Sequence, residues 1–281
     1  MIDTHVHLGQ LVRGDPGLTP SKVLRWMDRW GIEKALIVAV ETPEELDYYA
    51  TTREMQRQTR RHRDRLIPMC ATDPRHRYPG RFDPYPILAE YVDQGCVGYG
   101  EDLTGLPVDD PMKQRVYEAC GRLGLPVVVH MDDWINRDTP GLKGLERMLR
   151  KFKNVNFLGH AQYFWREISG KVDPDERYPL GPVAPGGRVE ALFRSYPNLY
   201  ADISAASGYN AITRDPEFGL AFVKRWKHRL IFATDTIHTR PGPFCSISEK
   251  PRILEYLQTA GLSKDAFERI TRKNAEKVFL L

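Results

Sequence analysis

One pattern narrows the folds open to this chain more than any other. Short apolar runs rich in Val, Ile and Leu alternate with longer amphipathic stretches from end to end. The runs fall at residues 1–7, 35–40, 66–71, 97–101, 126–130, 155–160, 199–203 and 230–235. Between them the spacing predicts helices over 21–30, 43–63, 85–93, 111–123, 142–152, 188–194 and 216–226, with two closing helices over 248–260 and 263–280. In the first of these, Val23, Leu24, Met27 and Trp30 share one face and Ser21 stands as the cap. Strands that alternate with helices imply right-handed crossovers and a parallel sheet. Eight such units in 281 residues fit an α/β fold of the closed (β/α)8 TIM-barrel type, for which about 250 residues is usual. A doubly wound open sheet would ordinarily begin on a glycine-rich phosphate loop. No G-x-G-x-x-G follows the first run and no G-x-x-x-x-G-K-[ST] occurs in the chain. The expectation is one barrel domain over residues 1–281.

Barrels of this kind carry their chemistry at the C-terminal strand ends. Several of the runs end on metal-binding residue types. The first ends on Asp3-Thr4-His5-Val6-His7, whose two histidines, at i and i+2, project from one face of a strand. Glu101 ends the fourth run, His130 the fifth, His160 the sixth and Asp235 the eighth. Neutral imidazoles with one or two carboxylates suit zinc, and also manganese or iron. Such a centre lowers the pKa of water to about 7. Asp235 can bind the ion and accept a proton, and His160 can bind a second ion or polarise a substrate oxygen. Glu101, in Gly98-Tyr99-Gly100-Glu101-Asp102, can bridge two ions or shuttle a proton. Duller readings stand beside these: surface histidines for His5 and His7, satisfied core histidines for His130 and His160, a loop cap for Asp235, and a plain salt bridge for Glu101.

The chain resembles the amidohydrolase superfamily, and within it the branch that includes aminocarboxymuconate-semialdehyde decarboxylase and several lactone and carboxylate hydrolases. The resemblance rests on Asp3-Thr4-His5-Val6-His7, Gly124-Leu125-Pro126-Val127-Val128-Val129-His130, Gly159-His160, Phe232-Ala233-Thr234-Asp235 and the closing stretch 272–279. It implies His5, His7, His130 and Asp235 as direct ligands of a divalent metal, zinc foremost, and His160 as ligand or base. Many relatives place a lysine, often carboxylated, at the end of strand four, where this chain has Glu101. TatD-like deoxyribonucleases of the superfamily place a glutamate in such a Gly-Glu context. One ion or two is therefore open at this point.

The longest connection, residues 161–187, carries Tyr163, Phe164, Trp165, Arg166, Arg177 and Tyr178, and loops longer than about 15 residues are usually functional. Trp134, Trp165, Arg188, His238 and Arg240 are the candidate substrate contacts, the arginines because they suit a carboxylate or phosphate. The expected activity is hydrolysis of an amide, ester or lactone bond in a small molecule. Non-oxidative decarboxylation and metal-dependent DNA cleavage are the alternatives. A net charge of +4, from 41 basic and 37 acidic residues, does not call for a nucleic-acid partner. No apolar stretch approaches the roughly 20 residues that span a bilayer. Cys70, Cys96, Cys120 and Cys245 form no C-x-x-C pair, which fits reduced thiols in a cytoplasmic protein. No basic and apolar leader opens the sequence, and a homodimer is open.

Overall fold

The computed structural model describes residues 1–281 except 43, 45, 46 and 78–80. Every expected run forms a strand: β1 (Ile2–Val6), β2 (Lys34–Ile37), β3 (Leu66–Pro68), β4 (Tyr99–Asp102), β5 (Val127–His130), β6 (Phe157–His160), β7 (Leu199–Asp202) and β8 (Leu230–Ile231). All pairings are parallel, in the orders β1-β2-β3 and β4-β5-β6-β7-β8. Two short parallel bridges, Cys70 to Tyr99 and Val6 to Thr236, join these segments. Supporting them are Cys70 N–H to Gly98 O at 2.9 Å and His7 N–H to Thr236 O at 2.9 Å. The result is a TIM barrel.

Helices α1 (Pro20–Trp30), α2 (Thr52–Thr59), α3 (Tyr85–Asp93), α4 (Pro111–Leu123), α5 (Lys143–Lys151), α6 (Ala161–Arg166), α7 (Arg188–Ser195), α8 (Ala205–Thr213) and α9 (Pro216–Trp226) fill the connections. Helices α10 (Arg252–Thr259), α11 (Lys264–Glu268) and α12 (Asn274–Phe279) follow β8, the last two joined by a π-helical turn over Arg269–Lys273. Three helices start the same way, with a capping side chain before a proline: Thr19-Pro20, Asp110-Pro111 and Asp215-Pro216. Proline suits the first helical position because its missing N–H would have no intrahelical partner there. The cap of α1 is accordingly Thr19, which accepts from Lys22 N–H, and Ser21 lies inside the first turn.

Three other expectations are corrected. The helix expected over 43–63 begins only at Thr52, just after Val40 and Ala50 exchange both backbone hydrogen bonds. Residues 43, 45 and 46 of that expectation lie outside the described residues. The connection after β6 opens with α6 rather than continuous loop. Helix α8, with little apolar periodicity in Ala-Ala-Ser-Gly-Tyr-Asn-Ala-Ile-Thr, is an additional element.

Inside the barrel, Ile2, Leu36, Met69, Val128, Leu158, Tyr200 and Ile231 pack with Ala275, Val278 and Phe279 of α12. That helix therefore plugs the end of the barrel opposite the strand termini. The π-helical turn beside it leaves Ile270 O free to accept from Phe232 N–H at 3.0 Å, which fastens the plug to β8.

Strand parity then decides which side chains reach the open end. Two residues beyond Val128, Leu158 and Tyr200 come His130, His160 and Asp202 on the same inward face. On β1 the register with β2 slips between Asp3 and Val6. Ile2 points inward below the slip and the odd-numbered His5 and His7 above it. On β4 the register with β5 slips between Tyr99 and Asp102. A one-residue slip turns the following side chains to the other face, and here it turns Glu101 in and Asp102 out. The slip passes through Gly100, whose φ of +133° is open to glycine alone in practice.

Candidate metal centre

His5, His7, Glu101, His130, His160 and Asp235 converge at the open end of the barrel, from five strand ends. All but Asp235 are buried. Glu101 lies at the middle. Its Oε2 is 3.4 Å from His5 Nε2 and 3.6 Å from His7 Nε2. Its Oε1 is 3.3 Å from His160 Nε2 and accepts a 2.6 Å hydrogen bond from His130 Nδ1. Asp235 Oδ1 closes the first half, 3.3 Å from His7 Nε2 and 3.6 Å from His5 Nε2.

These spacings separate two kinds of contact. Ligands at the 2.0–2.1 Å of a tetrahedral zinc site stand about 3.3–3.4 Å apart. The atoms of His5, His7, Glu101 and Asp235 keep close to that separation and lie within 4.8 Å of one another. The 2.6 Å His130–Glu101 contact is a direct hydrogen bond instead. His130 meets Glu101 by that bond, its Nε2 lies 3.4 Å from Asp132 Oδ2, and Glu101, His130 and His160 form a second group with the spacing of a metal site.

The chemistry of the donor set fits a cation. His5 Nδ1–H donates to Asp202 Oδ2 at 2.7 Å, which leaves the Nε2 lone pair of the neutral ring facing two carboxylates. That nitrogen is buried and has no hydrogen-bond partner among the described residues. Only a proton or a metal ion reconciles it with its neighbours. Burial pulls the His5 imidazolium down, yet Glu101, Asp235 and Asp202 outweigh burial and raise its pKa well above the ordinary value. Burial likewise pushes Glu101 up, and His5 and His130 overcome it, so the carboxyl stands well below its usual range. Asp235 is lowered in the same way, against its burial, chiefly by His5. The cluster calls for positive charge, and four imidazoles are its only internal source.

Local backbone conformations hold the set. Ala161, Ala205 and Asp235 take left-handed φ values of +72°, +55° and +57°, all just past strand ends at the centre. Non-glycine residues pay about 1–3 kcal/mol for such sparsely populated conformations, and they gather at functional sites. Asp235 N–H is bonded to His5 O at 2.8 Å, tying the two together through the main chain. Gly159 of the Gly-His pair has a steric role: a Cβ there would lie 2.2 Å from the Phe164 ring.

The expected substrate contacts fare unevenly. Trp134 is 68% exposed, and its N–H bonds Asp132 Oδ1 at 2.7 Å. His238 and Arg240 line a cavity of about 230 Å3 with Arg13, Asp15 and Phe244. Trp165 is not at a surface: it is buried between Phe164 and Phe222, and its Nε1–H donates to Asp202 O at 3.0 Å. Arg188 is taken up by Glu146 at 2.5 Å and by Gly141 O at 2.8 Å, a tie between α7 and the start of α5. Sequence reasoning missed Asp202, Ser204 and Cys245. Cys245 Sγ lies 3.6 Å from Asp235 Oδ2. Asp202 had the same signal as Asp235, an acid at the end of an apolar run, hidden because the run continues one residue to Ile203.

The sequence profile of the amidohydrolase family matches residues 2–281. No curated protein sequence matches the chain. Among solved structures, a TIM-barrel protein from Bordetella bronchiseptica aligns with a TM-score of 0.71 at 17% identity, covering 100% of this chain and 98% of the other. A probable 2-pyrone-4,6-dicarboxylic acid hydrolase from Acinetobacter baumannii aligns at 0.63 and 16%, covering 100% and 99%. The 5-carboxyvanillate decarboxylase of Sphingomonas paucimobilis aligns at 0.61 and 14%, covering 100% and 99%. At such identities these likenesses speak for the fold.

Proposed function

The chain belongs to the amidohydrolase family, and we propose that it is a metal-dependent hydrolase that splits an ester, lactone or amide bond of a small molecule. The observation that carries this reading is the set of four imidazole–carboxylate distances among His5, His7, Glu101 and Asp235, 3.3–3.6 Å, close to the ligand spacing of a zinc site. A divalent ion held there, zinc by its donor set, supplies a Lewis acid and water with a pKa near 7. The protein does the rest. Asp235, whose side chain is 20% exposed where Glu101 is 5%, is the carboxylate that meets solvent and takes the proton of the attacking water. His160 Nε2 faces the same space across Glu101 and is placed to polarise the substrate oxygen or return a proton to the leaving group.

Decarboxylation at the same centre would need a free cationic clamp for the departing carboxylate. Three loop arginines are engaged elsewhere, Arg177 with Asp133, Arg188 with Glu146 and Arg240 with Gly14 O, which weighs toward hydrolysis. Among the described residues no helix is long and apolar enough to cross a membrane.

A panel of aryl esters, lactones and N-acyl amides, followed by pH-stat with the wild type and Asp235→Asn, tests the reading. Acid release should fall by about 10²–10⁴-fold in the variant, the usual worth of a positioned proton acceptor. Carbon dioxide release from aromatic acids without any hydrolysis would overturn it, and near-normal turnover by the variant would remove Asp235 from its role.

A further inference from the structure

We propose that Asp202 is a positioning residue shared by two histidines, fixing the ring orientation of His5 and His160 together and so setting cation affinity across the whole centre. This rests on the reading above only in that the centre holds a divalent cation.

Asp202 ends β7, fully buried. Its Oδ2 accepts from His5 Nδ1–H at 2.7 Å, and its Oδ1 lies 3.6 Å from His160 Nδ1 while accepting Ser204 N–H at 2.8 Å. Ser204 Oγ stands 3.2 Å from the same His160 nitrogen. The two imidazoles pack at 4.8 Å between centroids, both with Nδ1 toward the β7 end and Nε2 toward Glu101. They meet different oxygens of Glu101, His5 at Oε2 and His160 at Oε1. Asp202 therefore orients the His5 ring by a direct hydrogen bond and the His160 ring through Ser204, whose N–H it holds.

His5, His160 and Asp202 also have the composition of a metal site, but their spacing assigns another role. The 2.7 Å His5–Asp202 contact is shorter than the roughly 3.3 Å between ligands of one zinc ion, so no ion fits between them. Asp202 is an outer partner that holds a proton on Nδ1 and leaves Nε2 as a lone pair. The strand end is itself clamped, since Asp202 O accepts from the buried Trp165 Nε1–H at 3.0 Å. An amide at this position can donate as well as accept. His5 is then free to carry its proton on Nε2, hydrogen-bonded to Glu101 and Asp235, a state that suits the metal-free chain and shuts out a cation.

The test is titration of metal-free protein with Co2+, followed by visible absorption, for the wild type and Asp202→Asn, with thermal unfolding of both metal-free proteins. The expected result is a 10–100-fold loss of cobalt affinity and a shifted d–d band in a variant whose metal-free form still unfolds cooperatively. Equal affinity and an identical band would overturn the proposal. A wild type that takes up no cobalt would instead overturn the reading of the centre. If Asp202→Asn does not fold, Ser204→Ala carries the test through His160 alone. There a loss of about 2–10-fold, the worth of one hydrogen bond, supports the proposal, and an unmoved affinity and band refute it.

Discussion

Glu101 and Asp102 are neighbours in sequence, both acidic and both buried, yet the protein uses them in opposite ways. Asp102 faces outward from β4 toward α4 and has its own counter-charge: Lys113 Nζ donates to its Oδ2 at 2.5 Å. Thr104 supplies two further hydrogen bonds to Oδ1, at 2.7 and 3.2 Å, and Asn136 Nδ2–H donates to the main-chain oxygen at 2.6 Å. Burial pulls the Lys113 pKa down against the opposing pull of Asp102, and the ammonium has no outlet to solvent. Glu101 faces inward among the imidazoles of His5, His7 and His160, beside a second carboxylate, Asp235. The first group is complete as it stands; the second needs a proton or a metal ion at His5 Nε2. A buried carboxylate marks a ligand site when its neighbours leave its charge unmatched, not because it is buried.

That contrast can be broken from the structural side first, where the effect is largest. Lys113→Met leaves Asp102 as a lone buried charge and should cost about 3–5 kcal/mol of stability, read by urea unfolding of metal-free protein. Adding Asp102→Leu should recover most of it, since replacing a buried ion pair by apolar groups is often near neutral. A Lys113→Met protein as stable as the wild type would show that the pair is not the self-contained unit described. The smallest effect should come from Arg188→Ala. Its pair with Glu146 is roughly one-quarter to one-third exposed on both sides, so the loss should stay within about 1 kcal/mol. The KM of whichever substrate the panel reveals should not move. A large rise in KM would return Arg188 to the substrate role its contacts argue against.

The barrel was legible because its period is written in the sequence: each apolar run became a strand, and α3, α4 and α9 begin and end where spacing and proline place them. What local pattern could not give was phase. The inward turn of His5 and of Glu101 depends on register slips against neighbouring strands, which arise from pairing across the sheet. For the same reason Trp165 looked like a loop aromatic and proved to be core, since it packs on Phe222 of α9, 57 residues later. Arg188 looked free because its partners, Gly141 and Glu146, lie more than 40 residues earlier. Asp202 was within reach of the rule that found Asp235, and the misplaced end of its strand concealed it.

The most direct test of the account is metal content by mass spectrometry for the wild type and Glu101→Gln, each dialysed against the same zinc-containing buffer and then metal-free buffer, with circular dichroism to confirm the fold. The account predicts about one ion per wild-type chain, as a single tetrahedral cage would hold, and little in a folded Glu101→Gln. A wild type without metal, or a variant that keeps its full complement, would contradict it.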